Sequence, residues 1–413
     1  MKYQIKSTLQ GPQDAVTSLA FTVQGKLLAA AGPGGVSVWS LATSQLVPLV
    51  SGIGGYQQPE RTAFPVVAWL FYKEQSRHVL MLGSWDGQLQ FWDYVDERST
   101  LESTRQAVRH TPLAQVISVD IFPKEVPAGG RAKIVTSFAD SSVSVWTLSM
   151  NGELKKKFTI KLHISFIPKA VRFDTKTNNI YVFAMNGGDI AFLDCHTGNT
   201  IWMKNGGPTV MGSISLDPTS ENFAVCTSQG FELFELERIS YIRKFDGEPI
   251  HIAVPKHLSF VEDGSKVLGS TDHGYAALYD VQSGKVVQKL KYSLGGLVQS
   301  VAACATNDDF FTAIAGSNGH QRCDVIVWQK PRPIPRSRHM EGNDEYVVLP
   351  IKKKSLRRFA YIAGLALSFF GYTAFVTLLS DVCRRLSHSG AFSLTLFARV
   401  SNLIFVSAPR NYV

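Results

Sequence analysis

The residue types that carry most catalytic chemistry occur here without the spacing that such chemistry needs. The five cysteines, at positions 195, 226, 304, 323 and 383, form no C-x-x-C pair of the kind that binds zinc. The ten histidines are scattered, and neither an H-E-x-x-H motif nor a G-x-S-x-G turn occurs. The run GPGG at 32–35 lacks the Lys-Ser/Thr of a phosphate loop and predicts a hairpin turn. We therefore predict a non-enzymatic protein with no cofactor and no metal site.

An internal repeat supplies the elements that position the remaining polar residues. Seven times between residues 15 and 330, two apolar strands are followed by a Gly/Asp/Asn turn and a third strand that ends in an aromatic residue or leucine. These markers stand at 39, 92, 146, 193, 234, 279 and 328. Their intervals lie slightly above the roughly 40–45 residues of four-stranded propeller blades. The repeat predicts an all-β, seven-bladed β-propeller over residues 1–330.

The N-terminal segment is predicted to close the ring. After Trp328 the chain continues as QKPRPIPR, and proline cannot donate to a strand ladder. The last blade would therefore lack its outer strand. The segment YQIKSTLQ, at 3–10, precedes the first inner strand and is predicted to fill that position, which removes an open sheet edge.

The sequence GSWDGQLQFWDY, with Asp86 in a turn and Trp92-Asp93 at a strand end, resembles the WD repeat. GKLLAAAGPGGVSVWSL and ADSSVSVWTL resemble it too, and the overall texture is similar to uncharacterised fungal WD-repeat proteins. The resemblance implies a protein-interaction scaffold. It also implies an Asp–His–Ser/Thr–Trp hydrogen-bond network, although the Gly-His dipeptide that usually opens a WD repeat is missing.

A second resemblance concerns FLDCHTGNTIW, at 192–202, which is similar to the quinoprotein repeat in the spacing of Asp194, Thr197, Gly198 and Trp202. That family would imply a quinone-dependent enzyme. The motif occurs once, and no metal-ligating set accompanies it. We favour the interpretation that Trp202 docks one blade against another, and keep the quinoprotein-like enzyme as the second alternative function.

Candidate protein-binding residues lie in turns and in one long connection. Trp85 and Asp86 occupy the turn of the second repeat, where an exposed Trp would anchor a partner; the alternative is that Trp85 caps the blade and Asp86 accepts turn amides. Asp140 and His273 occupy corresponding turns of later repeats. The connection at 51–64 is longer than necessary and carries Tyr56, Glu60 and Arg61.

The C-terminal region predicts a membrane segment. Residues 331–358 form a Pro-rich and basic linker, and residues 359–380 contain no charge over a length of roughly 33 Å as a helix, enough to span a bilayer. Five cations precede this segment and two follow it, which favours a cytosolic N-terminal side. The five are Lys352, Lys353, Lys354, Arg357 and Arg358. We predict a single span, so that residues 381–413 form an apolar tail that lies at the membrane; a second span is the alternative.

Charge placement argues against a nucleic-acid partner. Residues 331–413 hold 12 Lys/Arg and 4 Asp/Glu, so the first 330 residues hold 30 and 29 and are nearly neutral. The sequence therefore predicts a scaffold that presents a propeller rim to protein partners on the cytosolic face of the endoplasmic reticulum or another internal membrane. The leading alternative is a guanine-nucleotide exchange factor or regulator of a small GTPase in membrane traffic, because an exchange factor of that membrane resembles the chain in its order of ring and span.

Overall fold

A computed structural model describes residues 1–50, 63–249, 251–252, 254–317 and 322–333 of the 413-residue chain. Residues 1–334 form one compact unit. Its strands alternate apolar and polar residues or are wholly apolar, and turns rich in Gly, Asp, Asn and Ser separate them. This pattern produces small, mostly antiparallel sheets, as the repeat predicted.

The sheets are numbered along the chain, each by its inner strand. The first strand, β1 (Gln4–Gln13), belongs to the last sheet. Sheet 1 contains three strands: β2 (Ser18–Phe21), β3 (Leu27–Gly32) and β4 (Gly35–Ser40). Sheet 2 contains β5 (Leu49–Val50), β6 (Val66–Tyr72), β7 (Arg77–Gly83), β8 (Gln88–Val95), β9 (Thr100–Arg109) and β11 (Glu125–Val126).

Each of the remaining sheets has four strands. Sheet 3 contains β10 (Val116–Phe122), β12 (Arg131–Phe138), β13 (Ser142–Ser149) and β14 (Leu154–Lys161). Sheet 4 contains β15 (Pro168–Phe173), β16 (Ile180–Ala184), β17 (Asp189–Leu193) and β18 (Thr200–Asn205). Sheet 5 contains β19 (Ser213–Leu216), β20 (Asn222–Thr227), β21 (Gly230–Glu235) and β22 (Ser240–Lys244).

Sheet 6 contains β23 (Leu258–Val261), β24 (Lys266–Ser270), β25 (Tyr275–Asp280) and β26 (Val286–Lys291), with a 3-10 turn at Glu262–Gly264. Sheet 7 contains β27 (Val298–Ala305), β28 (Asp309–Gly316), β29 (Arg322–Pro331) and β1. All seven sequence markers lie on the third strand of their sheets, so the repeat was located correctly.

The inner strands form a closed cycle. Each of β2, β6, β10, β15, β19, β23 and β27 contacts the next, and β27 contacts β2. Inner-strand serines join the sheets, because the edge amides of Val67, Val171 and Phe260 donate to hydroxyls of the preceding sheet at 3.2–3.3 Å. The predicted closing strand is confirmed, since β1 pairs antiparallel with β29, with Ile5 opposite Trp328. The fold is therefore an all-β, propeller-like ring.

The prediction of seven complete blades is corrected to six. Sheet 1 has three strands, because the chain after β4 leaves it following a single bridge between Trp39 and Leu46. Proline cannot donate to a ladder, and the Pro48 carbonyl instead accepts the Leu101 amide at 2.8 Å. The segment then pairs in parallel with β9, at the outer edge of sheet 2.

Candidate functional site

Strand order gives the ring two rims. The upper rim contains the connections from the outer strand of one sheet to the inner strand of the next, and the turns between second and third strands. Backbone bonds join these two kinds of segment, as in Ala139 N–H to Gln115 O at 2.9 Å and Gly187 N–H to Thr209 O at 2.9 Å. The lower rim contains the turns between first and second and between third and fourth strands.

Large apolar side chains are exposed on the upper rim. Trp85, in the β7–β8 turn, is 56% exposed, and Ile164, in the β14–β15 connection, is 82% exposed. The others lie in the connections that follow β9, β18, β22 and β26: Leu113, Val210, Ile252, Val254 and Leu294. Exposed apolar side chains therefore recur around the upper rim from sheet 2 to sheet 7.

The other exposed large apolar residues lie elsewhere. They are the terminal Met1 and residues along outer sheet edges: Ile5, Leu46, Val50, Ile201, Met203, Tyr241, Ile242 and Val287. In the part of the chain that the structure describes, no lower-rim turn carries one. The asymmetry between the rims is thus a property of the connections and not of the ring as a whole.

The turn that contains Trp85 and Asp86 is fixed by hydrogen bonds that do not involve the Trp85 indole. The Asp86 carboxylate accepts hydrogen bonds from Ser84 and Arg109, and the Ser84 hydroxyl accepts the Gln88 amide at 2.8 Å. Gly87 follows with φ 82°, a conformation that glycine adopts without strain. Asp86 therefore braces the turn through side-chain donors and not by accepting turn amides as the alternative interpretation proposed, since the Ser84 hydroxyl accepts the amide. The exposed indole of Trp85 contradicts the interpretation that it caps the blade.

Asp140 pairs with a histidine that the sequence interpretation did not single out. His110 Nε2 lies 3.1 Å from Asp140 Oδ2, and the buried imidazole stacks on Phe138 at 3.9 Å between ring centroids. Burial alone would raise the pKa of Asp140, but hydrogen bonds from His110 and Ser142 outweigh it and hold that pKa below its ordinary value. Asp140 thus fixes the entry of the chain into sheet 3.

Sheet 3 contains a second polar pair. Trp146 Nε1 donates to Thr136 Oγ1 at 3.2 Å. The Thr136–Trp146 pair and the His110–Asp140 pair together contain the four residue types of the network that the WD-repeat resemblance implies. In this structure the four residues form two separate pairs. The missing Gly-His dipeptide concealed the histidine, because Arg109 precedes it. A search for a histidine about 30 residues before the turn aspartate would have found it.

His273 belongs to a polar cluster at the upper rim of sheet 6. Its Nε2 lies 3.0 Å from the Pro249 carbonyl, and its Nδ1 lies 3.5 Å from Glu248 Oε2. The neighbouring Asp272 carboxylate accepts the amides of His251 and Ile252 at 2.9 and 2.6 Å. Burial would raise the pKa of Asp272, but these amides and the nearby Lys256 ammonium lower it. The cluster holds the long connection between β22 and β23 against the sheet.

A buried lysine fixes the two exposed apolar residues of that connection. Lys256 is 1% exposed, and its Nζ donates to the carbonyls of Ile252 and Val254 at 2.7 and 3.1 Å, with Asp272 Oδ2 3.7 Å away. A buried ammonium is costly unless it is paired and hydrogen-bonded, and both conditions are met here. Lys256 was missed because nothing in its sequence context distinguishes a buried lysine from a solvated one.

The predicted binding residues lie in different sheets or outside the described part of the chain. Trp85 and Asp86 lie in sheet 2, Asp140 in sheet 3 and His273 in sheet 6, so they do not form one compact site. Tyr56, Glu60 and Arg61 lie outside the described residues. So do the five cations at 352–358, the predicted span 359–380 and the tail 381–413. Within the described ranges, no helix is long and apolar enough to cross a membrane.

The motif that resembles a quinoprotein repeat is structural in its contacts. Asp194 accepts the amide of Thr197 at 2.7 Å in a lower-rim turn, and Gly198 takes φ 77° against Phe158 of sheet 3. Trp202, on the outer strand of sheet 4, stacks on Phe192 of the same sheet at 5.4 Å and also contacts Tyr181 there. Its ring contacts therefore lie within sheet 4 and not between blades, contrary to the expectation that Trp202 docks one blade against another. Among the described residues, no group of three or more His, Cys, Asp or Glu is arranged to hold a metal ion.

Comparison with protein families and with curated proteins gives no match: no family matches the chain, and no curated protein is detectably similar to it.

Proposed function

We propose that the chain is a protein-interaction scaffold that binds a protein partner through its upper rim. The recurrence of exposed large apolar side chains on that rim, from Trp85 to Leu294, carries the proposal. Propeller rings commonly act as interaction scaffolds, and large apolar side chains that are exposed on one rim, while the described lower-rim turns carry none, favour contact with a partner on that rim.

Topology explains the length of the upper-rim connections but not their apolar residues. Each connection must cross from the outer to the inner edge of a sheet, about 14 Å for four strands at about 4.8 Å spacing. Polar residues would cross equally well and would face water at no cost. Exposed Leu113, Ile164 and Val210 therefore favour burial against a partner.

The anchoring of the β22–β23 connection supports the same proposal. The buried Lys256 and Asp272 hold the backbone of Ile252 and Val254, although both side chains point away from the core and are exposed. Ordering an exposed apolar loop costs conformational entropy. Pre-ordering lowers the entropy that a partner must overcome on binding, so the arrangement is consistent with a binding surface.

Trp85 is the proposed central anchor, because tryptophan dominates interface energetics. Asp86, Asp140 and His273 are proposed to border the contact surface. Tyr56, Glu60 and Arg61, which lie outside the described residues, are proposed as further binding residues from the sequence alone.

The proposal is tested by exchanging apolar residues for serine on two surfaces of the full chain. One variant carries Trp85→Ser, Leu113→Ser and Ile164→Ser. The control carries Ile201→Ser, Met203→Ser and Val287→Ser on outer strands, which are also exposed apolar residues. Quantitative affinity capture from cells should recover a partner with the wild type and the control but not with the upper-rim variant. Equal recovery by all three proteins would contradict the proposal.

We also propose a more specific fold family and a membrane tether. The pairs in sheet 3 favour a WD-repeat ring in which sheet 1 is a shortened seventh blade. The uncharged run 359–380 behind five cations favours a membrane tether with the ring on the cytosolic side. Protease protection on intact microsomes tests the orientation, and a protected ring would contradict the cytosolic placement.

A further inference from the structure

The inner strands, which surround the central channel of a propeller ring, are almost free of charge here. Of the seven, only β10 and β15 carry charged side chains, and these are Asp120, Lys169 and Arg172. The other five strands contain no charged residue. Two cations on one strand are thus accompanied by a single carboxylate on the inner strands, which leaves an excess of positive charge at the channel wall.

Arg172 is fixed across the inner strands of three sheets. Its Nη1 donates to the Ser118 hydroxyl of sheet 3 at 3.1 Å, and its Nη2 donates to the Ile214 carbonyl of sheet 5 at 3.0 Å. A guanidinium that reaches the inner strands on both sides of its own strand lies along the channel wall. Among the described residues no carboxylate lies within 4.0 Å of it, and Asp120 instead accepts the Phe173 amide at 2.8 Å. Arg172 is therefore held rigidly but without an ion pair in that part of the chain.

Lys169 is the second residue of β15, close to the upper rim, and its side chain is only partly exposed. Among the described residues, its ammonium group has neither a hydrogen bond nor an ion pair. Burial lowers the pKa of Lys169, and the nearby Cys226 thiol of sheet 5 opposes this shift. A cation in a partly enclosed site is unfavourable without a counter-charge. An anion that entered the channel would supply that charge.

His257 brings a third donor to the same place from sheet 6. It directly precedes β23, and its Nδ1 lies 3.3 Å from the Ser300 hydroxyl of sheet 7. Burial, then the charges of Lys169 and Arg172, lower the pKa of His257 to about 4, so the ring lies near both cations and is neutral at pH about 7. When the Ser300 hydroxyl donates to Nδ1, the ring proton is on Nε2, which has no acceptor among the described residues.

We propose that the upper end of the central channel binds the phosphate group of a small phosphorylated molecule, held by Lys169, Arg172 and His257. A dianion matches two cations, and its tetrahedral oxygens can accept hydrogen bonds from donors on different strands. A bidentate carboxylate fits less well, because both Nη atoms of Arg172 already donate to protein oxygens. Channel walls of low dielectric with one sign of charge attract such an anion. The site uses none of the exposed apolar residues and does not depend on the upper-rim proposal.

The test is isothermal titration calorimetry of the full chain, purified in detergent micelles without phosphate, against inorganic phosphate and glycerol phosphate. Both should bind, and the affinity should fall as NaCl rises from about 50 to about 300 mM, because charges are screened. Lys169→Met should weaken binding about tenfold, and His257→Leu about threefold. Lys157→Met, which replaces an exposed lysine of the outer strand β14, is the matched control and should bind like the wild type.

Thermal unfolding separates a ligand site from a structural role. Since Lys169 makes no hydrogen bond or ion pair among the described residues, Lys169→Met should not lower the melting temperature in the absence of phosphate. Added phosphate should raise the melting temperature of the wild type but not of this variant, because only a bound ligand stabilises the folded state.

Absence of binding to the wild type, or wild-type affinity in Lys169→Met, would overturn the proposal. Malonate that bound as tightly as phosphate would overturn the assignment to phosphate, and a phosphoserine peptide that bound more tightly than glycerol phosphate would overturn the assignment to a small molecule. The upper-rim serine variant should retain phosphate affinity, so failure of either proposal is recognised separately from failure of the other.

Discussion

The two rims are built on the same strands but differ in how their turns use side chains. On the lower rim, Asp174, Asp194 and Asp280 each accept the amide three residues on, at 2.7–3.0 Å. A residue with positive φ follows that amide, at Asn178, Gly198 and Gly284. These turns satisfy their own polar groups. On the upper rim, connections are longer, and apolar side chains such as Ile164 face solvent.

The difference separates stability from binding. Lower-rim turns connect neighbouring strands, and a side chain that accepts turn amides stabilises the hairpin directly. Upper-rim connections cross a whole sheet, and much of their surface contributes nothing to the core. We therefore expect lower-rim substitutions to change the free energy of unfolding and upper-rim substitutions to change partner affinity.

The largest expected effect concerns His78, which is the second residue of β7, close to the lower-rim turn before that strand, and is 2% exposed. Burial, then Lys26, lowers its pKa from 6.5 to about 4. Between these values the unfolded chain binds the proton that the folded chain excludes, so stability falls as pH falls. The contribution of His78 to this loss at pH about 4 is about 3 kcal/mol. His257, whose pKa burial also lowers to about 4, adds a separate contribution. Urea unfolding at pH about 7 and about 4 should therefore show a smaller loss in His78→Leu than in the wild type, by about 3 kcal/mol.

An unchanged pH dependence in that variant would show that His78 is protonated in the folded protein. At pH about 7 the same variant should bind the upper-rim partner like the wild type, and loss of binding would weaken the distinction between the rims.

The next effect is a loss of stability on replacing a lower-rim turn carboxylate. Asp217 is 9% exposed and accepts the Glu221 amide and the Asn222 side-chain amide, both at 2.9 Å. Asp217→Ala leaves these donors without a partner and should lower the free energy of unfolding by about 2 kcal/mol. Asp86→Ala on the upper rim is the matched comparison. Because its Arg109 pair is exposed, the loss there should be below about 1 kcal/mol. Equal losses by chemical denaturation would remove the contrast.

A third effect should appear in binding alone. Trp85→Ala removes an exposed indole whose turn is held by Asp86 and Ser84, so unfolding should change by less than about 0.5 kcal/mol. Affinity for the captured partner should fall about tenfold or more, measured by calorimetry. A destabilised variant with unchanged affinity would place Trp85 among the structural residues.

The smallest effect is expected at a single aliphatic position of the upper rim. Leu113→Ser should weaken partner binding by about threefold, since peripheral contacts contribute less than an aromatic anchor. Ile201→Ser, on the outer strand β18, should leave affinity unchanged. Surface plasmon resonance on both variants resolves such a difference, and a larger effect at Ile201 would move the binding surface to the sheet edges.

Much of the ring was predictable because local patterns determine it. The markers from Trp39 to Trp328 located every third strand, and the Pro-rich exit after Trp328 required the N-terminal strand. The shortened sheet 1 was missed because its cause, the pairing of Leu49 with Leu101, joins residues of different repeats.

The site was less predictable, because its contacts are distant in sequence. His110 pairs with Asp140 across 30 residues, and Lys256 resembles a solvated lysine until the fold buries it. The exposed apolar residues were harder to recognise in the sequence. Leu113 directly follows Pro112, and Ile164 lies in the connection that ends before Pro168, so neither aliphatic residue has a strand to join. That signal appears only once the strands have been assigned.

Hydrogen–deuterium exchange of the ring with and without its captured partner tests the central proposal most directly. The account predicts slower exchange in the upper-rim segments 84–87, 110–115, 162–167 and 206–212, with unchanged exchange in the lower-rim turns at 194–199 and 281–285. Protection confined to the lower rim or to the outer strands would contradict it.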